Sequence, residues 1–261
     1  CALPIYFFTR SSEQFGGKIS FIVTDIVSRL RSLGAVKIEG IFRLNSSLSE
    51  EQKICSQLNE GRINLDTIEN GLTLANVLKR YYRGNVRYHP LIPFNIFDQF
   101  LKVAGNDCVS EFKSMFKSIS RSNYLELAFL MTFLHEVASF KEENKMDSAN
   151  LSRMFGPNIL LGKNENPDKI NTAGHDARNL PVQLLIENAD KVFDNFTLKD
   201  EYVLTDKEID KIKAKQYIDQ DVRNSAKLRE LRMLSYVKYI PREHLYDSSF
   251  TKQIGRASCR E

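Results

Sequence analysis

The sequence lacks the cysteine spacing of a disulfide scaffold or of a zinc site. Its four cysteines, Cys1, Cys55, Cys108 and Cys259, are far apart, and none forms a C-x-x-C pair or a zinc-ligand spacing with a histidine. This pattern is typical of free, mostly buried thiols in a reducing compartment. We therefore expect a cytoplasmic protein.

Long apolar runs and a strong net charge are missing too. No stretch approaches the roughly 18 apolar residues needed to cross a bilayer, so no transmembrane segment is predicted. The formal net charge is only +4, and Lys and Arg are interspersed with Asp and Glu. A nucleic-acid-binding protein would need a one-sided cationic stripe. We therefore expect no nucleic-acid partner.

Motifs of enzymes that use a nucleotide, a metal or a nucleophile are also absent. The chain contains no G-x-x-x-x-G-K-[ST] phosphate loop, no H-E-x-x-H motif and no G-x-S-x-G motif. Residues 15–18, F-G-G-K, superficially resemble a phosphate loop, but their spacing predicts only a turn before a helix. We expect no nucleotide site in this chain, no metal and no cofactor.

Helical patterns do occur in succession through residues 16–196. Apolar residues recur there at spacings of three and four, with Gly and Pro between the apolar stripes. No stretch alternates strictly enough to be a strand. The region is therefore predicted to be an all-α, multi-helix bundle. Pro181 is expected in the first turn of its last helix, where proline is tolerated.

The two flanks of this region differ from it in composition. We predict an N-terminal flank at residues 1–14, the helical domain at 15–197 and a densely charged, partly helical tail at 198–253. The tail is either a solvated helix that packs weakly or a helix that docks on the domain or on a partner. Residues 254–261 read like a translated sequencing adapter, so the natural sequence is expected to end before them. The chain begins without a Met, as expected of a fragment.

Within the domain, the first stretch whose residues could take part in chemistry is E-G-I-F-R at residues 39–43. Arg43 follows two large apolar residues in a loop between two helices. Either Ile41 and Phe42 are buried anchors and Arg43 is an ordinary surface charge, or the apolar pair holds the loop so that Arg43 projects rigidly. A guanidinium is always charged and presents a planar fork of donors, which suits it to phosphate oxygens.

A second stretch covers residues 144–158. Asp147 is predicted to cap a short helix, and Gly156 to end that helix with a left-handed cap that Pro157 enforces. Asn158 is then expected at a defined point just past the helix end. It either satisfies local backbone groups or presents its amide to a partner.

Together these stretches resemble the Rho GTPase-activating (RhoGAP) domain family. Four motifs occur in the family's order: the finger motif G-I-F-R at residues 40–43, the L-K-x-(F/Y)-x-R helix at 78–83, the N-K-M and N-L-x-x-x-F-G-P-N signature at 144–158, and the closing helix at 179–188. The sequence departs from the family at Leu44 and Asn45, where a Ser-Gly-like pair is common. The loop at residues 84–91 is about two residues longer than the family's.

The resemblance implies a domain that accelerates GTP hydrolysis by a Rho- or Rac-type small G protein in its GTP-bound state. Arg43 would be the arginine finger, inserted in trans into the G protein's nucleotide site. Lys79 and Arg83 would help to hold the finger loop and contact the G protein, and Asn158 would hydrogen-bond to its switch region. GTP and Mg²⁺ would belong to the partner. The alternative is a non-catalytic G-protein-binding module of the same fold. Such modules typically lack the arginine, so Arg43 favours activity.

Overall fold

The computed structural model of the protein describes residues 17–60, 63–86, 89–105, 107–163, 165 and 172–211. The α-helices in these ranges are α1 Phe21–Ser32, α2 Leu48–Glu60, α3 Gly71–Asn85, α4 Phe97–Phe100, α5 Cys108–Phe116, α6 Arg121–Ser139, α7 Lys141–Asn144, α8 Ser148–Ile159, α9 Thr172–Glu187 and α10 Ala189–Val192. Short 3₁₀ turns occupy Ala35–Lys37, Leu65–Thr67 and Asp200–Tyr202.

The described residues form no strand, only two isolated bridges, Ile19 with Val203 and Ile92 with Leu160. The prediction of an all-α fold is confirmed. None of the described helices is long and apolar enough to cross a membrane. Cys55 and Cys108 are both free thiols.

Helix α6 lies at the centre of the core. Its N-cap is Ser120, whose hydroxyl accepts a hydrogen bond from the Asn123 amide at 3.2 Å. Leu127, Leu130 and Leu134, spaced by three and four, are fully buried, and each such burial contributes about 1.5–3 kcal/mol. Helices α8, α9 and α10 pack on α6, and α3 packs on α8. The residues that surround the candidate site therefore stand on a rigid base.

Helix α8 begins where the sequence predicts but ends later. Asp147 accepts a hydrogen bond from the Asn150 amide at 2.7 Å, as expected of a cap. The helix then continues through Gly156 and Pro157 to Ile159, and Gly156 does not have a positive φ. The predicted left-handed cap at Gly156 is wrong. Gly156 instead allows α8 to approach α9, because a Cβ there would lie 3.4 Å from the side-chain oxygen of Asn179.

The position of Pro181 is a second correction. Helix α9 starts at Thr172, so Pro181 lies inside the helix and not in its first turn. A proline in a helix interior removes a hydrogen bond and costs about 3 kcal/mol. The helix persists there because Val182, Leu185 and Ile186 directly after the proline are fully buried.

Residues after Leu198 return to the start of the described chain. The Ile19 amide donates to the Tyr202 carbonyl at 2.8 Å, and Leu204 and Ile209 are buried. The described residues up to Asp210 belong to one compact unit. The segments 1–14 and 254–261, and the predicted tail beyond residue 211, lie outside the described residues. The boundaries at 15–197 and 198–253 stay predictions.

Glu208 anchors this returning segment through charge. Its carboxylate accepts hydrogen bonds from the Thr205 amide and hydroxyl, both at 2.8 Å, and pairs with the Lys18 ammonium at 2.9 Å. These contacts lower the pKa of Glu208 from 4.5 to about 2. The hydrogen bond from the Thr205 backbone is the largest cause, and the hydrogen bond from Lys18 is the next. The carboxylate therefore stabilises the fold while it is ionised.

We predict that Glu208→Gln removes a stabilisation that depends on acidity. Because the folded-state pKa is depressed, the stabilisation is fully present above about pH 4.5 and is lost as the pH falls towards about 2. In urea unfolding between pH 3 and 7, the stability gap between wild type and variant should be constant at neutral pH and shrink in acid. Lys18→Met, which leaves the Thr205 bonds intact, should remove only part of the gap. A gap independent of pH would contradict this assignment.

Candidate functional site

The loop that carries Arg43 has an unusual backbone. In this Arg43 loop, defined as residues 38–47, Gly40 and Phe42 have left-handed φ values of 69° and 67°. The amides of Arg43 and Leu44 both donate to the Gly40 carbonyl at 2.8 Å, which closes a tight turn. Glycine adopts this conformation freely, whereas the left-handed region costs other residues about 1–2 kcal/mol. Phe42 is therefore held there by its surroundings.

Burial of the Phe42 ring outweighs that backbone cost. The ring is fully buried and meets Phe155 and Phe133 edge-on, with centroid distances of 5.0 and 6.2 Å. Burial of a phenylalanine side chain contributes about 1.5–3 kcal/mol, and each edge contact adds about 0.5–1.5 kcal/mol. Ile41 is buried as well, so the prediction that this apolar pair anchors the loop is confirmed. The next side chain, Arg43, is exposed.

Lys79 on α3 binds the loop from the side. Its ammonium donates a short hydrogen bond to the Phe42 carbonyl, one residue before Arg43. The side chain is half-buried, and burial lowers the pKa of Lys79, while the negative charge of Glu51 raises it in part. The structure therefore places Lys79 against the loop, as the resemblance implies.

Asn144 fixes the start of the loop. Its backbone carbonyl accepts a hydrogen bond from the Gly40 amide at 2.7 Å. Its fully buried side chain donates to the carbonyls of Val36 and Val137 at 2.7 and 2.8 Å and accepts from the Met146 amide at 2.7 Å. The sequence marks Asn144 only as part of a motif, and the structure gives it a role as the buried joint between the loop and the turn before α8.

Asn76 and Glu51 hold the end of the loop, and the sequence reasoning missed both. The Asn76 amide donates to the Leu44 carbonyl at 3.1 Å and to the Ser46 hydroxyl at 3.2 Å. The Ser46 hydroxyl donates to Glu51 at 2.8 Å, and Glu51 also accepts from Arg80 at 2.7 Å. The sequence does contain one signal for Asn76: it lies three residues before Lys79 and therefore on the same face of the helix.

The remaining predicted residues differ in exposure. Arg43 and Arg83 are both exposed, and neither guanidinium has an ion-pair or hydrogen-bond partner among the described residues. Asn158 is buried in the last turn of α8, not beyond its end, and its side-chain nitrogen donates to the Met154 carbonyl at 2.6 Å. Part of its side chain therefore does satisfy local backbone, and its side-chain oxygen has no hydrogen-bond partner in the described ranges.

A shared aromatic cluster joins the three elements that carry these residues. Phe155 on α8 contacts Phe42 of the Arg43 loop and also Tyr82 on α3, at centroid distances of 5.0 and 6.4 Å. Tyr82 is next to Arg83, and Phe155 is three residues before Asn158. One set of ring contacts in the core therefore connects the Arg43 loop, helix α3 and the end of α8.

Comparison with known proteins decides the family. The sequence matches the RhoGAP domain over residues 20–164, more than half of the 261-residue chain. The chain belongs to the RhoGAP family. The resemblance seen in the four motifs is thereby confirmed.

Curated relatives are similar over the same region. Mouse (Mus musculus) Rho GTPase-activating protein 24 is 31% identical over 166 residues, covering 60% of this chain and 22% of that protein. Mouse Rho GTPase-activating protein 8 is 30% identical over 190 residues, covering 71% of this chain and 43% of that protein. The chain thus spans less than half the length of either relative.

A solved RhoGAP structure has the same fold. The crystal structure of human Rho GTPase activating protein 15 superposes with a TM-score of 0.60 at 23% identity, covering 67% of this chain and 84% of that chain. At this identity the likeness concerns the fold, and it agrees with the helical architecture described above.

We predict that Gly40→Ala disturbs the Arg43 loop beyond the simple penalty for a left-handed alanine. A Cβ at Gly40 would lie 2.7 Å from Cγ of Leu44, whereas a Cβ at Gly34, whose φ is 63°, meets nothing within 4 Å. Gly34→Ala should lose about 1–2 kcal/mol of unfolding free energy in urea titrations, and Gly40→Ala should lose more. Only Gly40→Ala should also shift the amide resonances of Arg43 and Leu44. Unshifted Arg43 and Leu44 amide resonances in Gly40→Ala would refute the crowding argument.

Proposed function

We propose that this RhoGAP-family chain accelerates GTP hydrolysis by a Rho- or Rac-type small G protein in its GTP-bound state, with Arg43 as an arginine finger that acts in trans. The observation that carries the proposal is the Arg43 side chain itself. Its guanidinium is exposed and unpaired among the described residues, on a loop whose backbone is tied down on both sides of it. A charge held out in this way is suited to an external anion.

The chemistry explains why such a cation would accelerate the reaction. Hydrolysis of GTP develops charge on the γ-phosphate oxygens and on the bridging oxygen, and catalysis consists mostly of positioning and electrostatic stabilisation. A guanidinium supplied from outside neutralises that charge with a planar fork of donors. An arginine finger is worth about 10³–10⁵ in rate, or about 4–7 kcal/mol of barrier.

The geometry of the loop supports a positioned finger. A guanidinium must be placed within a fraction of an ångström of its ideal position at the phosphate oxygens, because a misplacement of about 1 Å costs roughly 10²-fold in rate. Phe42, Lys79 and Asn144 together leave the backbone at Arg43 little freedom. We assign Lys79 mainly to this holding role, because its ammonium is bonded to the loop.

Arg83 and Asn158 are proposed to contact the G protein. Arg83 lies one helical turn beyond Lys79, and its exposed charge suits acidic groups on the partner. Asn158 uses its side-chain nitrogen inside α8, so we assign to its side-chain oxygen the hydrogen bond with the partner's switch region. The chain would act as an activator and not as an enzyme with its own nucleotide site. GTP and Mg²⁺ would be bound by the G protein, and this chain would need no cofactor.

We predict that Arg43→Ala abolishes most of the acceleration but leaves the fold intact, because Arg43 is exposed and its neighbours anchor the loop. Single-turnover phosphate release from GTP-loaded Rho, Rac and Ras-type proteins measures this directly. The expected loss is about 10³-fold or more on the responsive G protein. Arg43→Lys, which keeps the charge and loses the fork, should also be strongly impaired.

Arg31→Ala is the matched control for Arg43, since Arg31 is another exposed arginine and its guanidinium is already bonded to Glu136 at 2.6 Å. It should accelerate hydrolysis like wild type. Full activity of Arg43→Ala would refute the finger. A folded wild type that binds G proteins and accelerates none of them would instead favour the non-catalytic module.

We predict that Asn158→Ala weakens binding to the GTP-bound G protein more than it slows the bound complex. Loss of one hydrogen bond worth about 0.5–1.5 kcal/mol raises the Kd about 2- to 12-fold. Titration calorimetry with a non-hydrolysable GTP analogue on the G protein measures this change. Asn150→Ala, in the first turn of the same helix, should keep the wild-type Kd, and an unchanged Kd for Asn158→Ala would remove Asn158 from the interface.

A further inference from the structure

We infer that Asn76 is a positioning residue for Arg43: its side-chain amide fixes the chain immediately after the arginine and thereby sets the reach of the guanidinium. The inference rests on the proposed function, because it assigns the support of the same finger. It concerns a residue on α3 that is itself buried, so Asn76 would act through Arg43 and not by touching the G protein.

Two side chains of one helix bracket Arg43. Lys79 donates to the carbonyl of Phe42, one residue before the arginine, and Asn76 donates to the carbonyl of Leu44, one residue after it. Residues three apart on a helix share a face, so both anchors come from the same rigid surface of α3. With both neighbouring carbonyls held, the Cα of Arg43 has a fixed position relative to α3.

The Asn76 anchor is reinforced by a buried charge. Its side-chain nitrogen also donates to the Ser46 hydroxyl at 3.2 Å, and that hydroxyl donates in turn to the carboxylate of Glu51 at 2.8 Å. Glu51 is only 7% exposed and is neutralised by Arg80 at 2.7 Å. Charge-assisted bonds of this kind are stronger than neutral ones. The loop end is therefore tied to α2 as well as to α3.

Nothing apolar replaces this anchor. Before Arg43, Ile41 and Phe42 are buried, but Arg43, Leu44 and Asn45 after them are all exposed. Among the described residues, Asn76 donates the side-chain hydrogen bonds to the Leu44 carbonyl and the Ser46 hydroxyl, and Glu51 accepts the one that Ser46 donates. Loss of the Asn76 donor would release the Leu44 carbonyl, so that after Arg43 only the bond from the Leu44 amide to the Gly40 carbonyl would remain, while Phe42 still holds the other side.

The test is Asn76→Asp, which keeps the size of the side chain and replaces its donor with an oxygen that cannot donate. Single-turnover hydrolysis is measured against domain concentration on the responsive G protein, so that the maximal rate and the half-saturating concentration are separated. We expect the maximal rate to fall about 10- to 100-fold and the half-saturating concentration to stay within about threefold. Asn76→Ala, without a buried charge, serves as a second variant if the aspartate does not fold.

Thr73→Val is the matched control. Thr73 is buried one turn before Asn76 and donates to Glu50 of α2 at 3.2 Å, so it loses a comparable bond between α2 and α3 without touching the Arg43 loop. It should keep the wild-type maximal rate. A loss in Thr73→Val equal to that in Asn76→Asp would show a general effect of helix packing and overturn the inference.

The decisive comparison uses the Arg43→Ala background. If Asn76 acts only through the arginine, adding Asn76→Asp to Arg43→Ala should change the residual rate by less than about twofold, because residues that act as a unit are non-additive. A full further loss, or an unchanged maximal rate in the single variant, would overturn the inference while leaving Arg43 as the finger. A wild type that accelerates no G protein would overturn the proposed function and the inference together.

Discussion

The Arg43 loop depends on a single conflict at Phe42, whose ring favours the core while its backbone sits in a region that disfavours every residue with a Cβ. Contacts with Phe155 and Phe133 resolve the conflict in favour of the ring. Once the ring is buried, the Phe42 carbonyl faces Lys79 and the following side chain faces solvent. The outward course of Arg43 is thus a consequence of core packing and not of the arginine's own contacts.

Much of this site could be predicted from the sequence, because local patterns encode it. The apolar pair at Ile41 and Phe42 indicates an anchored loop, and the family motifs indicate that Lys79 lies against it. The left-handed backbone of Phe42 could not be predicted, since no local preference of phenylalanine favours it. It arises from rings that are distant in sequence. Asn76 was missed for a related reason: an asparagine in a helix is typical of a polar surface, and only the tertiary structure brings the loop onto it.

The helical fold was predictable from apolar spacing, and the errors lie where Gly and Pro were given too much weight. Gly156 and Pro157 have the local signature of a helix end. Helix α8 nevertheless continues through both, because it packs closely on α9. Pro181 was placed near a helix start because the apolar stripe becomes visible only at Val182. In each case the packing of one helix on another outweighs a local backbone preference, because that preference is worth only a fraction of the total stability.

The bracketing of Arg43 by Phe42 and by the bonds from α3 also bears on the thermodynamics of any encounter. Fixing the backbone of a residue removes conformational entropy worth about 1–2 kcal/mol, and here that loss accompanies folding of the domain. A partner that meets the loop has no backbone disorder to suppress. Association should therefore proceed as a rigid-body docking limited by diffusion and orientation, with a heat-capacity change that reflects only the surface buried between the two proteins.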